Sequence, residues 1–376
     1  VYATLPFVAL GSAVFSTDTV LLPFFALALW AYFGLTKAPG WRGAVLLGLF
    51  TGLGLLSKYA MIYLPLCIAL VTPFLRHARI AWRDAAVAAL TALVVFSPNI
   101  LWNIQNAGAT VRHTVNDNAN WDEASLSLTR GLEFLAAQFG VFGPILFTVF
   151  LIGGAHTVMN REGGLRCWML GLSAPIVALM TWQGIQAQAY ANWGVTAYAA
   201  GTILVVMVLV PRWPRLNRAS FGLHFAIAVA FPVALIFLEG LNGPQGRPLA
   251  KRYVGIDEFS QVIWARAQAE GIDTIISGSR PVLADLNYTL NGTGAVIYAL
   301  PRPGFPGSYY EQTFPLPEDF DGRALLVDFE TPPPCKRRLA EPLGELDTPR
   351  GLYEAFTVQA YVIGPDCVAD WAAGRD

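Results

Sequence analysis

The chain has 376 residues, of which 55% are hydrophobic and 14% are charged. Soluble proteins carry about 25% charged residues, so the composition excludes an ordinary soluble domain and indicates a membrane protein. The charges are unevenly divided, because residues 1–239 hold 13 Lys and Arg against 8 Asp and Glu, whereas residues 240–376 hold 12 against 18. Neither part has the basic density typical of nucleic-acid binding, so no nucleic-acid partner is expected.

The chain begins at Val1 inside an apolar run. It shows no charged segment followed by a small-residue cleavage site, which a signal peptide would have. We therefore expect a fragment whose natural N-terminus lies upstream.

Nine apolar segments in residues 1–239 predict a mainly α fold, a polytopic transmembrane helical bundle. A bilayer core of about 30 Å needs about 20 apolar residues in a helix, and about 17 are tolerated. The predicted spans are 2–15 (truncated), 19–35, 43–57, 59–75, 85–101, 138–159, 166–182, 191–210 and 220–239.

The charges of the connecting loops predict the orientation of these spans. One alternating set of loops contains Lys37, Arg42, Arg76, Arg79, Arg83, Arg161, Arg166, Arg212, Arg215 and Arg218. The opposite set contains Lys58, Arg112 and Arg130. Ten basic residues against three assign the first set to the cytoplasm, since Lys and Arg concentrate in cytoplasmic loops. The segments expected outside are Ser16–Thr19, Ser57–Tyr59, Trp102–Arg130 and Gln183–Asn192, together with everything after the ninth span.

Residues 240–376 predict a separate small extracytoplasmic α/β domain, because helical and strand patterns alternate there. The predicted helices are 257–270 and 281–290, and the predicted strands are 273–278, 295–300, 323–329 and 356–364. Cys335 and Cys367 both lie in this part. A disulfide between them is possible in an oxidising compartment, although their spacing does not determine their distance.

Two ionisable residues lie between apolar spans on the predicted outer face. Asp18 belongs to a Ser-Thr-Asp-Thr segment that either caps the next helix or places a carboxylate in a polar cavity. Lys58 either extends to the membrane interface or binds an anion, and a lipid-linked phosphate is the natural anion at that depth.

The polar stretch after the fifth span carries the next candidates. The segment 102–106 (WNIQN) places Asn103 beside aromatic and amide groups, a mixture that suits sugar binding. Arg112, His113 and Asp117 follow, and the last two are one helical turn apart. They could hold a divalent cation, contact a sugar or pyrophosphate-like group, or belong to a solvated loop; two candidate ligands are a weak metal pattern.

The segment 183–193 (QGIQAQAYANW) is uncharged and rich in amides. Gln183, Asn192 and Trp193 could contact a polyol, or the segment could form an aromatic belt at the membrane interface. The glycine-rich, P-loop and GxSxG patterns of soluble enzymes are missing from the sequence.

The order of the motifs resembles a known family. The motifs are STDT at 16–19, LLSKY at 55–59, PNILWNIQN at 98–106, RHTVNDNANW at 112–121, FLAAQFGVFGPILF at 134–147 and ANWGVTAY at 191–198. Together they resemble the bacterial polytopic glycosyltransferases of the protein-mannosyltransferase-like superfamily (glycosyltransferase family 39, GT-C fold), and among these the lipopolysaccharide-type sugar transferases.

The resemblance implies a polyprenyl-phosphate-linked sugar donor, a lipid or glycan acceptor, and transfer at the outer face of the bacterial inner membrane among membrane lipids. The residues that it places in the outer cavity are Asp18, Lys58, His113, Thr114, Asp117 and Asn118. The family's catalytic acidic residue lies in the first outer loop, to which nothing here corresponds. Either the chain is a fragment or this protein has lost that loop. The fragment is favoured by the truncated first span, so we expect the main catalytic residue upstream of Val1 and the chain as given to be inactive alone.

The residues expected to bind substrate are Asp18, Lys58, Tyr59, Asn103, Arg112, His113, Thr114, Asp117, Asn118, Gln183, Asn192 and Trp193. Lys58 is the first candidate for stabilising the departing phosphate, and Arg112 is the second. No cofactor is certain, and a divalent cation at His113 and Asp117 is possible. Two alternatives are a flippase or transporter for a lipid-linked glycan and a non-catalytic membrane subunit whose outer domain binds a partner.

Overall fold

The computed structural model describes residues 2–12, 16–112, 114, 125–160, 163–237, 242, 248, 251, 254–300, 305–329 and 340–372. The chain divides into two compact units, Val1–Val233 and Ala234–Asp376. The first unit is mainly helical, and the second contains a five-stranded sheet.

Apolar helices make up the first unit. The helices are α1 (Pro6–Gly11), α2 (Thr17–Lys37), α3 (Trp41–Ser57), α4 (Tyr63–Val71), α5 (Trp82–Gln105), α6 (Ala109–Arg112), α7 (Leu128–Val141), α8 (Pro144–Met159), α9 (Gly164–Gly171), α10 (Ala174–Gln186), α11 (Ala197–Arg212) and α12 (Pro214–Phe237). Single turns of 3-10 helix lie at Tyr2–Thr4, Tyr59–Ile62, Arg76–Ala78 and Ala191–Gly194. Each predicted span overlaps one or more of these elements.

Four helical segments of the described chain are long and apolar enough to cross a membrane. They are Thr17–Lys37, Trp82–Gln105, Gly164–Gln186 and Pro214–Ala234, and α7 with α8 would make a fifth. Trp41–Ser57, Tyr59–Val71 and Ala197–Arg212 are apolar but shorter. Several crossings are thus supported, and the count of nine stays a prediction.

The predicted span 138–159 is not one straight helix, because α7 and α8 meet at an angle of 119°. Gly143 lies between them with φ +93°, a conformation that glycine adopts without strain. Pro144 then begins α8, where its missing N–H costs no helical hydrogen bond. The break is therefore encoded by a Gly-Pro pair inside an apolar run, and periodicity alone does not detect it.

Two glycines let α3 approach α5 closely. A Cβ atom at Gly48 would lie 2.3 Å from the carbonyl oxygen of Ala88, and one at Gly52 would lie 2.6 Å from the Cβ of Val95. Glycines four residues apart face the same neighbour, as in other close-packed membrane helices. This packing holds the C-terminal end of α3 beside the C-terminal half of α5.

The second unit is a mixed sheet with helices. Its elements are α13 (Ile256–Ala269), β1 (Thr274–Ser277), α14 (Arg280–Thr289), β2 (Val296–Ala299), α15 (Tyr309–Thr313), β3 (Ala324–Asp328), β4 (Glu341–Glu345), β5 (Gln359–Ile363) and α16 (Pro365–Ala372). The strand order is β2-β1-β3-β5-β4, with β2, β1 and β3 parallel and β5 antiparallel to both of its neighbours.

Alternating side chains bury both faces of this sheet. Ile275 and Leu325 lie in one apolar cluster with Phe259 of α13, while Ile276 and Leu326 lie in another. The structure confirms the four predicted strands and both predicted helices. It adds β4, whose sequence EPLGE has neither alternation nor β-branched residues and so carries little strand signal.

The cysteines differ between the units. Cys67 and Cys167 are free thiols. Cys367 is buried and disulfide-bonded. Its pairing with Cys335 stays a prediction, because Cys335 lies outside the described residues.

Candidate functional site

Asp18 lies in the first turn of α2 and has two partners. The N-cap of this helix is Ser16, whose Oγ accepts the N–H of Thr19 at 3.4 Å. The Asp18 residue is only 4% exposed. Its Oδ1 accepts a hydrogen bond from Lys58 Nζ at 2.7 Å, and its Oδ2 accepts one from Asn192 Nδ2 at 2.6 Å. Ser16 therefore caps the helix. The Asp18 carboxylate is part of a cluster of three residues, which we call the Asp18 cluster (Asp18, Lys58 and Asn192).

Lys58 lies where α3 ends. Its backbone is extended, and its N–H donates to the carbonyl of Gly54 at 2.9 Å before the 3-10 turn begins. The side chain is 26% exposed, and its ammonium has three N–H donors, of which one is directed at Asp18. The ion pair thus fixes the position of a cation that still reaches the surface, and such a cation can bind an anionic group.

A second network begins at the next residue and is called the Tyr59 cluster (Tyr59, Asn99, Asn103 and Thr110). The Tyr59 hydroxyl donates to Asn99 Oδ1 at 2.7 Å, and Asn103 Nδ2 donates to the same oxygen at 3.0 Å. The backbone N–H of Thr110 donates to Asn103 Oδ1 at 3.0 Å. Asn99 and Asn103 lie one turn apart on α5, so they share a face. Neutral donors and acceptors of this kind suit sugar hydroxyls.

A buried glutamine supports the turn that carries Asn192. Gln138 Nε2 donates to the carbonyl oxygens of Phe134 and Ala191, both at 3.1 Å. The hydroxyl of Tyr198 donates to Gln138 Oε1 at 2.7 Å. Gln138 and Tyr198 are both 0% exposed. The amide therefore ties α7 and α11 to the 3-10 turn, and through it to the Asp18 cluster.

The sequence patterns did not predict individual roles for Asn99, Gln138 and Tyr198. Asn99 had a usable signal, because it lies near the end of the predicted span 85–101 and four residues before Asn103, one turn away if the helix continues. Gln138 had a weaker signal, a single amide in the apolar run FLAAQFGVFG. Tyr198 had none, since a tyrosine in an apolar helix is usually a packing residue.

Four other predicted site residues have identified contacts. Arg112 Nη1 donates to the carbonyl of Ala107, and Thr114 Oγ1 donates to the carbonyl of Thr110 at 2.8 Å. Gln183 is buried, and its Nε2 donates to the carbonyl of Gln188 at 3.5 Å. The ring of Trp193 packs edge-on against that of Tyr190, with centroids 5.5 Å apart. Their roles toward a substrate stay predictions.

His113, Asp117 and Asn118 lie outside the described residues. Within the described part of the chain, no group of three or more His, Cys, Asp or Glu side chains could hold a metal ion. The possible cation at His113 and Asp117 is therefore untested.

The chain has several apolar helices of membrane-spanning length. An ion pair and networks of amide side chains lie at their ends. These features define a polytopic membrane protein with a polar site. Residues 1–102 match the family model described as dolichyl-phosphate-mannose-protein mannosyltransferase. The chain is 42% identical over 368 residues to the lipid A galacturonosyltransferase RgtD of Rhizobium johnstonii, an alignment that covers 98% of this chain and 77% of that protein. No solved structure matches the chain significantly. The chain belongs to the GT-C family of multi-pass membrane glycosyltransferases, as the order of its motifs predicts.

This membership decides between the classes of function that composition left open. The chain is a glycosyltransferase, and the flippase and non-catalytic subunit hypotheses are set aside. The family match over residues 1–102 includes Asp18, Lys58, Tyr59 and Asn99, whereas Asn103 and Asn192 lie beyond it.

Proposed function

We propose that this protein transfers a uronic acid from a polyprenyl-phosphate carrier to lipid A at the outer face of the bacterial inner membrane, and that the present chain supplies the cation beside the carrier phosphate. The name of the R. johnstonii relative supplies the sugar class and the acceptor. The charge bias of the loops supports the outer face for the Asp18 cluster and for residues 240–376. The observation that carries the proposal is the partly exposed ammonium of Lys58, held at 2.7 Å from a buried carboxylate.

In this reaction the bond between the anomeric carbon and the carrier phosphate oxygen breaks. The acceptor hydroxyl oxygen forms a new bond to the same carbon and loses its proton to a base, while the phosphate stays on the carrier. Negative charge develops on the departing phosphate, so a cation held in advance beside it stabilises the transition state. Lys58 is that cation.

Asp18 positions Lys58 and does not accept the acceptor's proton. Both of its oxygens already accept hydrogen bonds, from Lys58 and Asn192, and the residue is buried. The base is expected in the family's first outer loop. The Tyr59 cluster offers amides and a phenol to the hydroxyls or carboxylate of the donor sugar.

The test is a turnover assay with the full-length protein in detergent, using polyprenyl-phosphate-linked galacturonic acid and lipid A, with modified lipid A detected by mass spectrometry. Removing one transition-state donor lowers kcat by about 100- to 1000-fold, and we expect Lys58→Ala to do so. Lys37→Ala is the matched control. Lys37 lies in the last turn of α2, at the other end of that helix from Asp18, so its removal should leave kcat unchanged.

Two outcomes would contradict the proposal. Unchanged turnover in Lys58→Ala would remove the lysine from the site. Equal transfer from a nucleotide-linked sugar would show that the donor does not need a polyprenyl-phosphate carrier.

A further inference from the structure

An apolar groove of about 590 Å³ lies between α3, α4 and α5. Its walls include Leu47 from α3, Ile68 and Ala69 from α4, and Ala85 and Ala92 from α5. The two α5 residues are seven positions apart, so the groove extends about 10 Å along that helix. Its shape is therefore that of a slot parallel to the helices.

The groove opens onto an apolar surface. Ala69 and Ala89 line it and are exposed. Leu70 and Leu90, their chain neighbours, are 57% and 65% exposed. In a multi-pass membrane protein, a surface of exposed leucines on apolar helices faces lipid tails. A lipid chain can therefore enter the slot from the side.

Arg79 lines one end of the groove. Its Nε donates to the carbonyl of Thr72 at 2.8 Å, and its Nη2 donates to the carbonyl of Pro73 at 3.1 Å. These bonds orient the guanidinium, which has five N–H donors and is exposed. A fixed arginine with further donors suits a phosphate group.

The end of the bundle around Arg79 is basic. Arg76 and Arg83 are close in the chain and exposed. Asp84 lies beside them, but it is 8% exposed and accepts the backbone N–H of Gly40 at 3.1 Å. That bond also holds the α2–α3 loop, which lies between Lys37 and Arg42, next to the start of α5. Basic pockets between membrane helices attract anionic headgroups.

We propose that this groove binds an anionic phospholipid of the bilayer, with one acyl chain between α3, α4 and α5 and the phosphate against Arg79. The apolar walls accept the chain of any phospholipid, whereas Arg79, the arginine that lines the groove, selects for negative charge. The site is at the end of the bundle that carries the basic loops and does not include the Asp18 cluster. It is independent of the proposed sugar transfer.

The test is native mass spectrometry of the full-length protein, purified in detergent and exchanged into equal amounts of phosphatidylglycerol and phosphatidylcholine with identical acyl chains. We expect phosphatidylglycerol to be retained about fivefold more, the factor that one basic side chain provides near an anionic headgroup. Arg79→Gln should remove this preference and leave phosphatidylcholine retention unchanged. Arg212→Gln, at the end of α11, should keep the preference.

A second pair of variants tests the slot itself. Ala89→Phe fills the groove and should lower retention of both lipids, whereas Ala86→Phe adds the same volume on the same helix at a position that does not line the groove. If Arg79→Gln lowers the unfolding temperature, its effect on lipid retention could come from instability, and this pair of variants then tests whether lipid occupies the groove. Equal retention of the two lipids by the unaltered protein, equal effects of the two phenylalanine variants, or displacement of phosphatidylglycerol by an equal amount of polyprenyl phosphate would each overturn the proposal.

Discussion

The two units of the chain each hold a carboxylate that accepts hydrogen bonds from a distant residue, and the partners differ. In the helical unit, Asp18 accepts from the ammonium of Lys58 and the amide of Asn192. In the sheet unit, half-buried Asp285 of α14 accepts from the phenol of Tyr353, which is 3% exposed. The first arrangement leaves a cation partly exposed, whereas the second shields a neutral donor. Asp18 therefore holds a cation in position for an external anionic group, whereas Asp285 joins two parts of the sheet unit.

The largest expected effect comes from breaking the Asp18 cluster. Asp18→Ala leaves the Lys58 ammonium and the Asn192 amide without their shared acceptor, so the cation loses its fixed position. We expect kcat to fall about 100-fold, because a displaced electrostatic donor no longer matches the transition state. The turnover assay with lipid A measures it.

The control for the Asp18→Ala prediction is a double-mutant cycle in which the thermal stability of each variant is measured. Asp18→Ala with Lys58→Met should destabilise the protein less than the sum of the two single changes, because removing one partner alone leaves an uncompensated charge. Strict additivity would show that the two side chains do not interact.

A tenfold smaller effect is expected from the residue that supports Asn192. Gln138→Leu keeps the side chain's approximate volume and removes its bonds to Ala191 and Tyr198. The turn that carries Asn192 should shift, and kcat should fall about tenfold. Gln138→Glu keeps an acceptor for the Tyr198 hydroxyl but loses the N–H donor to the Ala191 carbonyl, so it should not restore kcat. Full rescue by Gln138→Glu would assign the effect to the Tyr198 bond instead of the turn. Thr148→Ala, which removes an exposed hydroxyl bonded within α8, should leave kcat unchanged.

The Tyr59 cluster should affect binding more than turnover. Asn103→Ala removes an amide that bonds to Asn99 and Thr110, and it should raise the donor KM about fivefold, the value of one lost hydrogen bond. The kinetic split between KM and kcat measures it. A loss of kcat with unchanged KM would assign Asn103 to the transition state instead.

The smallest effect belongs to the sheet unit. Burial, the hydrogen bond to Asp285 and its negative charge raise the pKa of Tyr353 above its usual value of about 10. Burial also raises the pKa of Asp285, while the bond from Tyr353 lowers it. A raised pKa for Tyr353 means that the folded state keeps its proton longer, so its contribution to stability is complete below pH about 10 and is lost as the pH rises further.

Tyr353→Phe should therefore lower stability by about 1 kcal/mol near neutral pH and remove this part of the alkaline loss. The unfolding midpoint of the full chain at several pH values measures both, and sugar transfer should not change. An unaltered alkaline loss in Tyr353→Phe would assign it to other groups.

Residues of the candidate site were predictable where a local pattern marked them. Asp18, Lys58, Asn103 and Asn192 stand out because polar residues between apolar spans are conspicuous. Gln138 does not, because a single amide within an apolar run has no periodic signature, and its importance depends on a carbonyl that is 53 positions away.

The amino-acid sequence was enough to predict the apolar helices, the charge bias of their loops, four of the five strands and the family. These follow from composition, periodicity and motif order, which are local properties. The three-dimensional structure was needed to show that Asp18 accepts hydrogen bonds from Lys58 and Asn192, which are 40 and 174 positions away. It also decided that α7 and α8 bend by 119°. Such pairings depend on how closely helices pack, and close packing such as that of α3 on α5 rests on the positions of single glycines rather than on a repeating pattern.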